Sequence, residues 1–172
     1  MAATAQFYED NGAATGSPAK GTTRAVAPSC DWKSVDDITT PRANATIIAG
    51  QNSYHKYQFV KFTGTFNSIS AGKFAHTSGT VGTGLKIVDK ISSTYATPTT
   101  AALGGSTDIT TTKQINSGQA VKFSATGPEG SASDTLTSEG YTQYIITQLQ
   151  TEATAAAGDI GDQELTFQWN EN

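Results

Sequence analysis

Tyr54-His-Lys-Tyr57-Gln-Phe59-Val60-Lys-Phe62-Thr-Gly64-Thr-Phe66-Asn-Ser-Ile69 is the stretch whose reading decides the fold. Its aromatic and β-branched residues suit a pleated, half-buried surface, so it predicts a strand rather than a helix. Two apolar sets of opposite parity lie along it: Tyr57 with Phe59, then Val60 with Phe62 and Phe66. Side chains alternate between faces with a period of two, so a strand with one buried face cannot carry both sets. Either both faces are covered, or a bulge or bend re-aims the side chains between Phe59 and Val60. Both alternatives put the strand in the middle of a sheet.

Outward from this stretch, several segments read as further strands. Thr4–Tyr8 is short and is ended by Glu9-Asp10-Asn11-Gly12, in which Asn-Gly is a strong turn dipeptide. Ala13–Pro28 has Gly16, Pro18, Gly21 and Pro28 but only Val26 as a larger aliphatic, and reads as a long loop or an extended arm. Ser29–Ile38, Lys73–His76, Leu85–Ile91 and Gln119–Ala125 read as strands. In Tyr141–Leu149, Tyr144 and Ile146 point one way and Tyr141, Ile145 and Leu149 the other. Leu165, Phe167 and Trp169 alternate with Thr166, Gln168 and Asn170, predicting a strand with one face on the core and one in water. Ala153–Ala157 is too short for a helix to stand in water.

Eight to ten strands without a convincing helix predict an all-β protein, a two-layer antiparallel β-sandwich of jelly-roll or immunoglobulin-like type with an extended N-terminal arm. Residues 1–45 hold short strands and the arm or loop, residues 46–172 the sandwich, and together they read as one folding unit. A chain of 172 residues buries roughly 70% of its unfolded surface and needs no disulfide or metal to hold a core. Its single cysteine, Cys30, allows no internal disulfide, which fits synthesis in a reducing cytoplasm. The N-terminal residues show no signal peptide, and no run approaches the ~20 apolar residues of a membrane helix. The net charge is −4 and the eleven basic residues are scattered, so no direct nucleic-acid contact is expected.

Catalytic readings are weak. His55 and His76 each stand alone at a strand end and read as surface or edge residues. Cys30 carries no nucleophile signature and reads as a small buried hydrophobe. Glu9-Asp10, Asp31 with Asp36-Asp37, and Asp159 with Asp162 read as turn-forming and solubilising acids. Asp159-Ile-Gly-Asp162 lacks the alternating ligands of a calcium loop. Gly79-Thr-Val-Gly-Thr-Gly84 lacks the lysine of a phosphate loop and reads as a hairpin loop. No catalytic residue, cofactor or metal is expected. Trp32 and Tyr54 remain as aromatics open to stack on a sugar or a partner. Phe7, Tyr8 and Arg24 join them as candidate partner contacts.

Gln6-Phe7-Tyr8-Glu9, Cys30-Asp31-Trp32-Lys33, Gly50–Tyr57, Phe62–Ser70, Tyr141–Thr151 and Leu165–Glu171, taken together, resemble small structural proteins of tailed-bacteriophage particles. The resemblance spans nearly the whole chain, is one of pattern, and includes no functional signature. It implies a capsid decoration (cement) protein on the outer surface of the head, bridging neighbouring copies of the major capsid protein. A homo-oligomer, dimer or trimer, is the expected state. A tail or baseplate accessory module binding a receptor or glycan is the nearest alternative. An acidic chain suits the outside of a head better than its DNA-filled interior.

Overall fold

The computed structural model describes residues 2–156, 158 and 160–172. Among them the strands are β1 Thr4–Asn11, β2 Thr23–Val26, β3 Lys56–Thr63, β4 Ile69–Ser78, β5 Leu85–Ser92, β6 Thr107–Asp108, β7 Gln119–Val121, β8 Phe123–Ser124, β9 Thr135–Leu136, β10 Gly140–Thr142, β11 Tyr144–Thr151 and β12 Glu164–Glu171. Two single-turn 3-10 helices, Arg42–Asn44 and Ile115–Ser117, are the helical elements described. The strands form two antiparallel sheets. The larger runs β2-β1-β3-β11-β5-β6, with β10 also beside β3 and β8 beside β10. The smaller runs β12-β4-β7, with β9 beside β4. The expected two-layer sandwich is what the chain forms.

β3 lies between β1 and β11, and its unusual parity has a simple cause. Val60 and Phe62 face the second sheet, in a core with Ile69, Phe74, Ile87, Val121, Phe123, Ile145 and Phe167. Tyr57 and Phe59 face the other way, into a second core with Val88, Tyr95, Leu103, Tyr144 and Ile146. The first alternative therefore holds: both faces are covered and β3 stays regular. Tyr95 and Leu103 come from the loop between β5 and β6, which folds over the outer face of the large sheet. Tyr57, Tyr95 and Tyr144 meet there with ring centroids 4.6–5.8 Å apart, the distances favoured by aromatic pairs.

The irregularity sits next door. Tyr141 packs with Tyr144 on the outer core, although their spacing of three predicts opposite faces. The strand breaks at Gln143, separating β10 from β11, and the Thr142 hydroxyl accepts the Val60 amide at 2.9 Å in place of a backbone carbonyl. A comparable device lies in β4. Ala71 has φ +54°, and the register with β12 slips between Gln168 and Asn170, so Ile69 and Phe74 reach the same core despite opposite parity.

Four sequence-based assignments change. β1 continues through Glu9, Asp10 and Asn11, all buried, instead of turning at Glu9. Residues 29–38 form no strand but run along the sheet, held by buried Trp32 and Lys33. Ala13–Pro28, read as a long loop or an extended arm, carries a strand: β2 pairs with β1, β1 is an inner strand, and Ala27 donates its amide to Phe7 O at 3.0 Å. Gly79–Gly84 joins β4 to β5 across the two sheets and so is no hairpin.

Phe62 is fully buried, with its ring 5.3–6.3 Å from those of Phe123, Phe167 and Trp169. Phe62→Ala should cost about 3–5 kcal/mol in denaturant unfolding, from lost transfer energy plus the cavity left behind. Deleting residues 1–28 should abolish the cooperative transition altogether, since it strips β1 and β2 from one side of β3.

Candidate functional site

Where the sandwich opens, residues of the segments 27–32 and 42–49, with 155–156, 158 and 160–165, line an open cavity of about 1250 Å³. Phe7, Trp32, Phe74, Leu85, Leu149 and Leu165 give it an apolar floor, while Asp31, Arg42, Asp162 and Glu164 bring charge to its lining. This is larger than the roughly 300–1,000 Å³ of a typical small-molecule site. Ile48, 64% exposed, also lines it. Cys30 belongs to the same lining; its Sγ lies 3.2 Å from Thr147 Oγ1, which also accepts Trp32 Nε1–H at 3.1 Å. Burial pushes the Cys30 thiol up to about 12, so it stays protonated at neutral pH.

Two networks of buried charge flank β3, one on each face. On the inner face Glu9 Oε1 accepts from Lys56 Nζ at 3.0 Å and from Asn11 Nδ2 at 2.8 Å, and Glu9 Oε2 accepts from Gln58 Nε2 at 3.0 Å. Lys56 Nζ also donates to Asp37 O, and Asp36 accepts from Asn11 Nδ2 and from the Gly12 amide. Lys33 Nζ donates to Asp37 Oδ1 and Thr40 O, both at 2.9 Å. Asp37 is held well below the usual carboxylate range by the Thr40 hydroxyl first, then by the Thr40 amide and Lys33, against a desolvation penalty. These bonds fasten residues 29–40 to the sheet. On the outer face Arg24 makes a two-pronged contact with buried Asp10, at 2.7 and 2.6 Å, and lies 4.6 Å over the Phe59 ring. The Tyr144 hydroxyl sits between Asp10 Oδ2 and Glu129 Oε1, and burial together with these carboxylates pushes its phenol far above the ordinary range.

The five candidate contact residues are dispersed among these features. Trp32 is buried, because its indole packs in the inter-sheet core and its N–H finds Thr147, so it offers no open stacking face. Tyr8 stacks on Phe59 at 5.7 Å, and Phe7 packs against the inner core. Arg24 is committed to Asp10. Tyr54 is half-buried and its amide is tied to Lys33 O.

The histidines meet neither each other nor Cys30. His55 Nε2 contacts Ala101 O at 2.9 Å, and burial lowers its pKa. His76 is buried rather than at an edge, with Nδ1 against Ile109 O and Nε2 against Gln163 Oε1. Asp162 lines the cavity, while its sequence companion Asp159 lies outside the described residues, as does Ala157. Among the described residues no three His, Cys, Asp or Glu side chains converge into a metal-ligating group. Among the described residues no helix is long and apolar enough to cross a membrane. Comparison of the chain with protein-family models, with curated proteins and with solved structures finds no match.

Asp89 is a further buried titratable group, one that the sequence pattern does not single out. It shares the parity of Ile87 and Ile91 on β5 and is fully buried. It accepts from Gln119 Nε2, its second oxygen has no partner among the described residues, and burial pushes its carboxyl up to about 7. The folded state therefore holds a proton that an unfolded aspartate, near 3.9, releases. This contribution to stability is complete below about pH 4 and is lost as pH rises through about 7. In thermal melts the wild type should lose Tm between pH 5 and 8, and Asp89→Asn should flatten that slope and melt higher at pH 8. Cys30 gives a second check: a thiol reagent at pH 7.5 should modify it far more slowly in the folded chain than in denaturant.

Proposed function

We propose that this protein is a non-enzymatic structural component of a phage particle, a capsid decoration protein that bridges neighbouring subunits of the major capsid protein. The observation that carries the reading is the free edge of the smaller sheet. β12 pairs with β4 on one side and, among the described residues, with no strand on the other. Its register is regular from Leu165 to Gln168 and slips at both ends of that run, between Glu164 and Leu165 and between Gln168 and Asn170. An unpaired edge is a template for a strand of another chain, and bulges confine such pairing to a bounded length. A bounded edge suits docking at a fixed lattice position better than open-ended self-association.

Other features support the same reading. The sandwich is braced on both faces of its large sheet, as a clamp under load requires. The net charge of −4 favours the outside of a DNA-filled shell. The motifs that resemble phage virion proteins include both the spine of the fold and β12 itself.

The cavity favours a second reading, a tail or baseplate accessory module that binds a receptor or glycan, because an opening of about 1250 Å³ is room for a ligand. The two readings separate in one experiment. Purified protein mixed with heads stripped of decoration should co-sediment in fixed ratio to the capsid subunit and raise the temperature at which the heads rupture. Gln168→Lys with Asn170→Lys places charge on two exposed positions of the edge and should weaken that binding tenfold or more while leaving the melting curve unchanged. Binding to host cells or arrayed glycans, with none to heads, would replace the first reading by the second.

A further inference from the structure

Glu9, Asn11, Lys56 and Gln58 occupy one face of the paired strands β1 and β3. The register sets Glu9 against Gln58 and Asp10 against Tyr57, so the next step along it brings Asn11 opposite Lys56. Lys56 Nζ and Asn11 Nδ2 both contact a single oxygen, Glu9 Oε1, at 3.0 and 2.8 Å. Glu9 and Lys56 are each 1% exposed and Asn11 is 4% exposed. The carbonyl oxygen of Asn11, Oδ1, is buried and accepts no hydrogen bond among the described residues. A primary amine, a carboxamide and a carboxyl group that touches both are thus sealed together between two strands.

We propose that Lys56 and Asn11 join in an intramolecular isopeptide bond, with Glu9 as the proton carrier. The structure holds every reactant. Lys56 Nζ passes one proton to Glu9 Oε1 across their 3.0 Å contact, turning the ion pair into an amine and a carboxylic acid. The Nζ lone pair then attacks Asn11 Cγ, forming the new C–N bond and moving the carbonyl pair onto Oδ1. Glu9 delivers its proton to Nδ2 and takes the second Nζ proton. As the carbonyl re-forms, the Cγ–Nδ2 bond breaks and the nitrogen leaves as ammonia. The products are a Lys56–Asn11 amide, a neutral Glu9 and ammonia, so atoms and charge balance without an oxidant or any other reactant.

Proximity supplies much of the catalysis. Amine and amide are held on the same oxygen by paired strands, which replaces a bimolecular encounter by an effectively unimolecular one. Lys56 Nζ is further steadied by Asp37 O, and Asp36 holds the amide of Asn11 from its other hydrogen. Exclusion of water protects the amide from hydrolysis once formed. The bond would staple β1 to the spine of the large sheet, and it needs no partner.

The intact mass of the purified full-length chain decides the matter. An isopeptide bond lowers it by one ammonia, about 17 Da, relative to the sequence. Protease digestion should then release a branched peptide joining the segment around Asn11 to the segment around Lys56. Lys56→Met should restore the full mass, and Glu9→Gln should leave most of the chain unlinked. A wild-type chain of full sequence mass overturns the proposal, without recourse to any variant. So does a 17 Da deficit that persists in Lys56→Met, because the loss would then be ring closure of Asn11 onto the Gly12 amide.

Discussion

Double-sided burial of β3 is the constraint on which the rest of the structure depends. A strand whose even and odd side chains are both apolar and aromatic has no face left for water. One side is met by the second sheet. The other has to be met by loops, and the long connection that carries Tyr95 and Leu103 does so. The length of the loops, which by composition look like spacers, follows from this need. They are the third layer of the fold.

Burying both faces also buries the polar ends of the strands, and charge appears inside as a result. Glu9 with Lys56 on one face, and Asp10 with Arg24 on the other, come from adjacent residues of β1 that point in opposite directions. Each pair is surrounded by further donors, which is the condition under which ions survive away from water. Such pairs add less to stability than apolar side chains of the same volume, but removing one partner strands the other, so they fix register and neighbours. Trp32 and Lys33 extend the effect to residues 29–40, which have almost no regular structure and yet are pinned.

Much of the framework was legible in the sequence. The mixed parity of Tyr57–Phe62 announced a central strand, and the alternation of Leu165, Phe167 and Trp169 announced a strand with one wet face. What escaped was whatever depends on partners remote along the chain. Glu9-Asp10-Asn11-Gly12 has the composition of a turn; only Lys56, Gln58, Arg24 and Tyr144, brought in by the fold, make it a buried strand end. Trp32 reads as an open aromatic because no alternation around it marks a core face, and the partner of its indole N–H, Thr147, lies more than a hundred residues away. Gly79–Gly84 carries no mark that separates a hairpin from a crossing between sheets. The candidate contact residues suffered the same fate, since aromatic character alone does not distinguish a stacking platform from a core side chain. The cavity had no signature at all, because it is a gap between segments.

Native-state hydrogen exchange tests this account most directly, since it reports which strands open together. The account predicts that the amides of Lys56–Phe62 are among the slowest in the chain, and that those of Phe7–Asp10 in β1 share their global, denaturant-dependent opening. Exchange of β1 through a separate low-energy opening, with β3 still protected, would contradict a spine that is covered on both faces and tied to its neighbour by buried charge.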